Sequence, residues 1–358
     1  LLFKLLIRYT DGSQQTISSD PTWKYDLSPV VFNCIYGGED YDARLEQQGW
    51  NCPGFNDDKW RPVVIQEAPK GVLRPQKAAP VKIMERYDVK TVNKLTPEQV
   101  ATACISTKRT VDPSAIVLDM GQNLAGFPEI VVRGKKGQKV TLVVAEALTE
   151  EGACNQRQTG RQHYYEYTLK GEGEERWHPR FSYYGFQVEG AVLKGQKNPR
   201  KLPVIKSIQS CFVYNSAVRI SSFECSNPIF NAAHRLIEKA VRSNMQSVFT
   251  DCPHREKLGW LEQVHLNGPG LLYNYDLAAY GPQIMQNMAD AQHPDGAMPT
   301  TAPEYVFFEG PGLEPFAQSP EWGGALVIFP FMYYETYGDD TLIKEYYPNM
   351  RRYVDYLA

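Results

Sequence analysis

Apolar residues recur along this chain with two different periods, and the change falls near residue 220. Before it, short apolar and β-branched runs alternate with turn-rich stretches. "LLFKLLI" and the residues after it flank Asp11-Gly12, a dipeptide that suits the left-handed torsions of a tight turn, and predict a strand pair. "IVVRGKKGQKVTLVVAEAL" reads as a further hairpin, two apolar runs around Gly134-Lys135-Lys136-Gly137. "HYYEYTLKGEGEERWHPRF" adds short strands separated by Gly-rich turns, and in "GGEDYDARLEQQGWNCPGFNDDKWRPVVI" Trp50 and Trp60 are candidate core anchors. Strands at this spacing predict antiparallel β-sandwiches rather than a parallel α/β sheet. The Lys- and Pro-rich "LKGQKNPRKLPV", near 193–204, reads as a solvated loop.

After about 221 the period becomes helical. "SNPIFNAAHRLIEKAVRSNMQSVF" opens on a cap-type Ser226, carries Pro228 in its first turn, and places Ile229, Phe230, Ala233, Ile237, Ala240, Val241 and Val248 at helical spacing. "GPGLLYNYDLAAYGPQIMQNMADAQ" and the stretch from Gly323 onward read as further helices, the latter broken at Gly338-Asp339-Asp340. The expected fold class is therefore multidomain β plus α. The expected divisions are 1–85, an N-terminal β-sandwich incomplete at its start; 86–220, a second β-sandwich; and 221–358, helical.

Composition narrows the function classes. With 42% apolar and 22% charged residues the chain is of the soluble globular type. A formal net charge of −3 and the lack of a basic stripe argue against a nucleic-acid partner, and no stretch reaches membrane-spanning length. Aromatic residues reach 12%, which suits both sugar-binding faces and ordinary β-sandwich cores. The seven cysteines are scattered without a CxxC pair, so neither a disulfide framework nor a zinc ribbon is indicated.

The densest chemistry lies in "TDCPHREKLGWLEQ". As a metal site it offers Cys252, His254 and His265, with Asp251 or Glu256 as a fourth ligand, but the spacing matches no common zinc pattern. No metal and no cofactor are expected. As a helix start it would use Asp251 as the N-cap and Pro253 in the first turn, which leaves Glu256 and Trp260 unexplained. If the segment turns helical after Pro253, Glu256, Trp260 and Gln263 share a face, and Glu262 points away. A carboxyl, an indole and an amide on one face have the make-up of a sugar subsite.

This stretch resembles the signature of bacterial α-L-rhamnosidases, glycoside hydrolase family 78. "YGGEDYDARLEQQGWNCPGFNDDKW" resembles the family's N-terminal β-sandwich, "LDMGQNLAGFPEIVVRGKKGQKVTLVVAEAL" and "YTLKGEGEERWHPRFSYYGFQV" the sandwich before the barrel, and "SPEWGGALVIFPFMYYETYGDD" a helix start within the (α/α)6 barrel. The resemblance implies antiparallel sandwiches followed by the first part of an (α/α)6 barrel, in an inverting hydrolase that releases terminal α-L-rhamnose. It implies Glu256 as general acid, Asp251 and Arg255 as binders of rhamnose hydroxyls, and Trp260 as a wall of the pocket. Gln263 stands where many members have an acid. Trp322-Gly323-Gly324, preceded by Glu321, stands in place of the usual Trp-Gly-Asp; Gln263, Glu321 and Trp322 are further expected contacts to the sugar, with a helix N-terminal acid favoured by the dipole as the alternative for Glu321. The implied partner is a carbohydrate; the sequence sets no compartment, and a periplasmic or extracellular one is favoured only by that substrate class.

The residues after Ser221 have room for roughly six helices of ordinary length, half of a twelve-helix barrel. The expectation is a segment of a longer enzyme that holds the acid half of the site, with the catalytic base beyond residue 358. Competing readings are another (α/α)6 carbohydrate-active enzyme, such as a glucuronyl hydrolase or a lyase, and a non-catalytic carbohydrate-binding protein.

Overall fold

The computed structural model describes residues 3–67, 71–96, 98–99, 116–157, 163–194 and 202–358. Strands dominate up to Asn215 and helices follow from Pro228. The Asp11-Gly12 hairpin forms as expected: Lys4–Arg8 pairs antiparallel with Gln14–Ser18, Gly12 takes φ 85°, and Asp11 accepts from Ser13. Trp60 packs edge-on against Phe55, but Trp50 is 61% exposed and anchors no core.

Ten strands form one sheet. Its main path runs Val30–Cys34, Gly38–Asp42, Tyr164–Thr168, Lys139–Ala145, Tyr184–Lys194, Ile116–Arg133, Val204–Asn215 and Val81–Asp88. Strand Val81–Asp88 thus runs across residues 85 and 86, and Gly38–Asp42 joins the same sheet through a parallel pairing with Tyr164–Thr168. The hairpin expected around Gly134–Gly137 is not formed. Both apolar runs are strands, yet Tyr184–Lys194 lies between them and pairs antiparallel with each. The turn is instead held by its own Gln138 side chain, which accepts from Lys135 N–H, and by backbone bonds between Gly137, Gln138 and Leu169. A distant strand of fitting apolar pattern displaces the local partner. Much of the stretch read as a loop near 193–204 lies outside the described residues.

The sheet's interior is apolar and aromatic, with Leu142, Tyr165, Phe186 and Phe212 at most 2% exposed. Side chains of this kind contribute roughly 1.5–3 kcal/mol each when buried. Helix Pro228–Asn244 begins at Asn227, whose side chain accepts from Ile229 N–H; Asn227 rather than Ser226 is the cap. This helix packs against the sheet with Glu238 and Ser243 buried, while Ile229, Phe230, Leu236 and Ile237 are exposed. The remaining helices, Glu262–Leu266, Gly268–Asn274, Tyr280–Ala291, Pro320–Gly323, Ala325–Tyr337 and Thr341–Leu357, share a second core around Met285, Met288, Leu326 and Phe329. The expected break falls at Gly338, which caps Ala325–Tyr337 with φ 67°.

The parallel pairing at Gly38 tests how the first residues are tied to the sheet. Gly38 has φ 95°, and a Cβ there would lie 1.7 Å from the Tyr164 carbonyl oxygen. Gly38→Ala should destabilise the fold by more than ~1 kcal/mol, read as a lower denaturant midpoint with unchanged slope; an unchanged midpoint would show that this pairing carries little.

Candidate active site

The segment 251–260 is a loop, not a helix. Turns run from Pro253 to Glu256, and helix begins only at Glu262. Lys257 is the residue that breaks the run: its φ is 54°, in the left-handed region. Asp251 therefore caps nothing. It closes the loop on itself, with its N–H donating to the Leu258 carbonyl and its carboxyl accepting from Leu258 N–H at 3.3 Å.

The loop still brings the expected groups together, by another route. Trp260 Nε1 donates to Glu256 Oε2 at 2.9 Å, although the two residues share no helix face. Arg255 Nε lies 3.4 Å from Glu256 Oε1. Partial burial raises the Glu256 pKa, and the hydrogen-bonded, like-charged Asp251 carboxyl raises it further; Trp260 and Arg255 pull the other way. Trp260 stacks on Phe308, with centroids 5.1 Å apart, and Trp322 closes the same wall at 6.2 Å. The arrangement is a carboxyl of raised pKa beside an aromatic wall, with a second carboxyl and a guanidinium within reach.

Gln263 is turned to its own helix: it donates to Glu262 and accepts from Asn267. Glu262 is the residue that the helical reading dismissed. Burial raises its pKa, and the Asp251 and Glu256 charges raise it further, so three carboxyls share one field. Glu321 opens the short Pro320–Gly323 helix, is held by the Ser319 hydroxyl, and is pulled below the usual carboxylate range by that bond. It behaves as a solvent-facing helix-start acid. Asp251, Cys252 and Glu256 bring possible ligand atoms within 4.8 Å of one another, the group among the described residues that could hold a metal ion. His254 reaches Glu146, at 3.1 Å, and also hydrogen-bonds to Cys252; the six described cysteines are free thiols.

The sheet supplies the loop's seat. Pro253 and His254 lie directly over Gly185, where a Cβ would stand 2.5 Å from Pro253 Cγ. Lys257 is 2% exposed and its ammonium donates to the carbonyls of Ile35 and Tyr183. Burial pushes its pKa down to about 7. None of these sheet contacts is visible in the sequence, because Ile35, Glu146 and Tyr183 lie far from the loop along the chain.

Burial acts to lower the His254 pKa, but hydrogen bonds with Cys252 and Glu146 outweigh it and push the imidazole up to about 9. Glu146 is buried too, yet hydrogen bonds from His254 and Asn123, with the charges of His254 and Arg255, hold its carboxyl below the usual 4.5. The imidazolium contributes stability fully below the ordinary 6.5 and loses it as pH rises through about 9. The carboxylate contributes above 4.5 and loses it as pH falls through its lowered value. The stability gap between the parent and His254→Gln should thus be widest between about pH 4.5 and 6.5 and should narrow toward pH 9.5. Melting temperatures across that range would check it; a gap that stays constant would remove the pair as a seat of stability.

Three family models match the chain: the α-L-rhamnosidase N-terminal domain over 1–85, the bacterial α-L-rhamnosidase concanavalin-like domain over 109–214, and the bacterial α-L-rhamnosidase 6 hairpin glycosidase domain over 218–358. An α-L-rhamnosidase of Formosa agariphila is 31% identical over 97% of this chain and 35% of its own length. One from Streptomyces avermitilis is 32% identical over 100% of this chain and 32% of its own. Among solved structures, the α-L-rhamnosidase from Dictyoglumus thermophilum superposes with a TM-score of 0.85 at 28% identity, over 99% of this chain and 37% of that one. The Streptomyces avermitilis enzyme complexed with L-rhamnose gives 0.82 at 30% identity, over 99% and 32%. The chain spans about a third of the length of the curated relatives it matches.

Proposed function

We propose that this chain, which belongs to the bacterial α-L-rhamnosidase family, carries the general-acid half of an inverting glycosidase site that releases terminal α-L-rhamnose. The observation that carries the reading is the Glu256 carboxyl, hydrogen-bonded to Asp251 and to the Trp260 indole and raised in pKa by its surroundings. A glycosidase acid must hold its proton near neutral pH and give it up to the departing oxygen. Partial burial and the Asp251 charge act toward the first requirement. The exposed Arg255 beside it keeps the anion tolerable once the proton has gone.

Asp251 and Arg255 flank the acid and take rhamnose hydroxyls in this reading, while Trp260, Phe308 and Trp322 form a wall for the apolar side of the sugar. Gln263 and Glu321 stay as outer contacts to the sugar or the group attached to it, Glu262 as a carboxyl that adds to the field on Glu256. Inversion requires a second carboxyl roughly 6.5–9.5 Å from the first, with room for water between. The reading assigns that base to no residue of this chain; Glu321, the best-placed later acid in the sequence, is a solvent-facing carboxylate at a helix start, with one oxygen accepting from the Ser319 hydroxyl. The domain divisions at 85 and 220, with accessory sandwiches ahead of the barrel, belong to the same proposal.

In the intact enzyme, Glu256→Gln should lower kcat/KM on alkyl rhamnosides by ~10²–10⁴-fold. An aryl rhamnoside with an acidic phenol needs less protonation and should lose far less. Equal, minor losses on both would remove Glu256 from the role. Proton NMR during early turnover by the parent enzyme should show β-L-rhamnose first, with the α anomer growing in only by mutarotation; initial release of the α anomer would contradict inversion.

A further inference from the structure

Lys257 stands beside the proposed proton donor and takes no part in the chemistry above. It is the non-glycine residue with left-handed backbone among the described residues, at φ 54°, a conformation that glycine adopts more easily. Yet its side chain is 2% exposed rather than waving in water. The ammonium donates to the Ile35 and Tyr183 carbonyls and lies 4.6 Å from the centroid of the Tyr183 ring and 5.9 Å from that of Tyr36. Ile35 and Tyr36 follow strand Val30–Cys34, and Tyr183 precedes strand Tyr184–Lys194, so this socket belongs to the sheet. A buried cation is tolerated only where carbonyls or rings replace its water, which fixes its place within narrow limits.

Two tyrosine hydroxyls act on the same peptide groups. Tyr36 donates to the carbonyl of Glu256 itself at 2.5 Å, and Tyr305 donates to the carbonyl of Lys257 at 2.6 Å. The peptides on both sides of the left-handed residue are held, and the first of them starts at the Cα that bears the acid.

We propose that Lys257 is a positioning residue: its ammonium, seated in the carbonyl socket of the sheet and seconded by Tyr36, locks the left-handed turn that aims the Glu256 carboxyl at the glycosidic oxygen. The inference rests on Glu256 being the general acid. It gives the β-rich region a part in the reaction, beyond any role in binding carbohydrate. A turn held only by backbone preference would take glycine; the lysine trades that ease for an anchor more than two hundred residues away along the chain, at Ile35.

The test uses the intact enzyme and two substrates, an alkyl rhamnoside and an aryl rhamnoside of an acidic phenol. Lys257→Met keeps the apolar stem and removes the ammonium, and Tyr36→Phe removes one hydroxyl and leaves the socket in place. A misplacement of about 1 Å in a reacting group can cost ~100-fold in rate. Lys257→Met should therefore lower kcat on the alkyl rhamnoside about 100-fold with KM little changed, and spare the aryl rhamnoside by comparison. Tyr36→Phe should show the same substrate pattern with a smaller loss, and it decides the matter if Lys257→Met does not fold. Losses equal on both substrates, or no loss, while Glu256→Gln still discriminates between them, would overturn the positioning role and leave the acid assignment standing. If Glu256→Gln itself fails to discriminate, the acid assignment falls, and the positioning role falls with it.

Discussion

The junction between sheet and helices turns on one buried cation. The Lys257 side-chain nitrogen has left water, which pushes its pKa down to about 7, and in place of water it has two backbone carbonyls and the faces of three tyrosines, Tyr36, Tyr183 and Tyr184. Those carbonyls come from two separate places at the sheet's end. The ammonium can bind both only if the loop that bears it lies flat on the sheet, and Gly185 provides the close approach that this requires. The backbone of Lys257 then takes its left-handed turn, the helix that would otherwise run on from Pro253 stops, and the next one begins at Glu262.

The chemistry of the loop follows from opposed effects, of which those that raise the Glu256 pKa prevail. Burial and Asp251 push the Glu256 proton on, and Trp260 and Arg255 pull it off. In the proposed reading of Glu256 as general acid, neither side alone suffices. A carboxyl with only the first pair would stay protonated after it should have reacted, and one with only the second would be an anion at neutral pH. The closure of the loop by Asp251 through Leu258 lets one residue serve both the shape of the turn and the charge at its centre.

Local patterns were legible where local forces decide. The Asp11-Gly12 turn, the helix entered at Pro228 and the break at Gly338 each rest on a residue whose backbone preference nothing distant overrules. Long-range pairing was not legible. The runs around Gly134–Gly137 look like neighbours in the sequence, yet Tyr184–Lys194 inserts between them, because β pairing rewards matching apolar faces from any distance along the chain. The same holds at the site. Glu256, Asp251, Arg255 and Trp260 could be picked out from one short stretch. Helical spacing put Glu256 and Trp260 together for a reason that the left-handed Lys257 removes, and it sent Glu262 away from carboxyls whose charge it feels. Ile35, Tyr36, Glu146 and Tyr183 carry no mark in the sequence that ties them to the loop.

The central claim is that the folded loop raises the Glu256 pKa above that of an ordinary glutamate, partly through Asp251. Difference infrared titration of the Glu256 carboxyl in the intact enzyme, assigned by its loss in Glu256→Gln, tests this directly. The account predicts an apparent pKa above the ordinary glutamate value of ~4.3, moving down toward that value in Asp251→Asn. A carboxyl that titrates in the ordinary range and is indifferent to Asp251→Asn would contradict it.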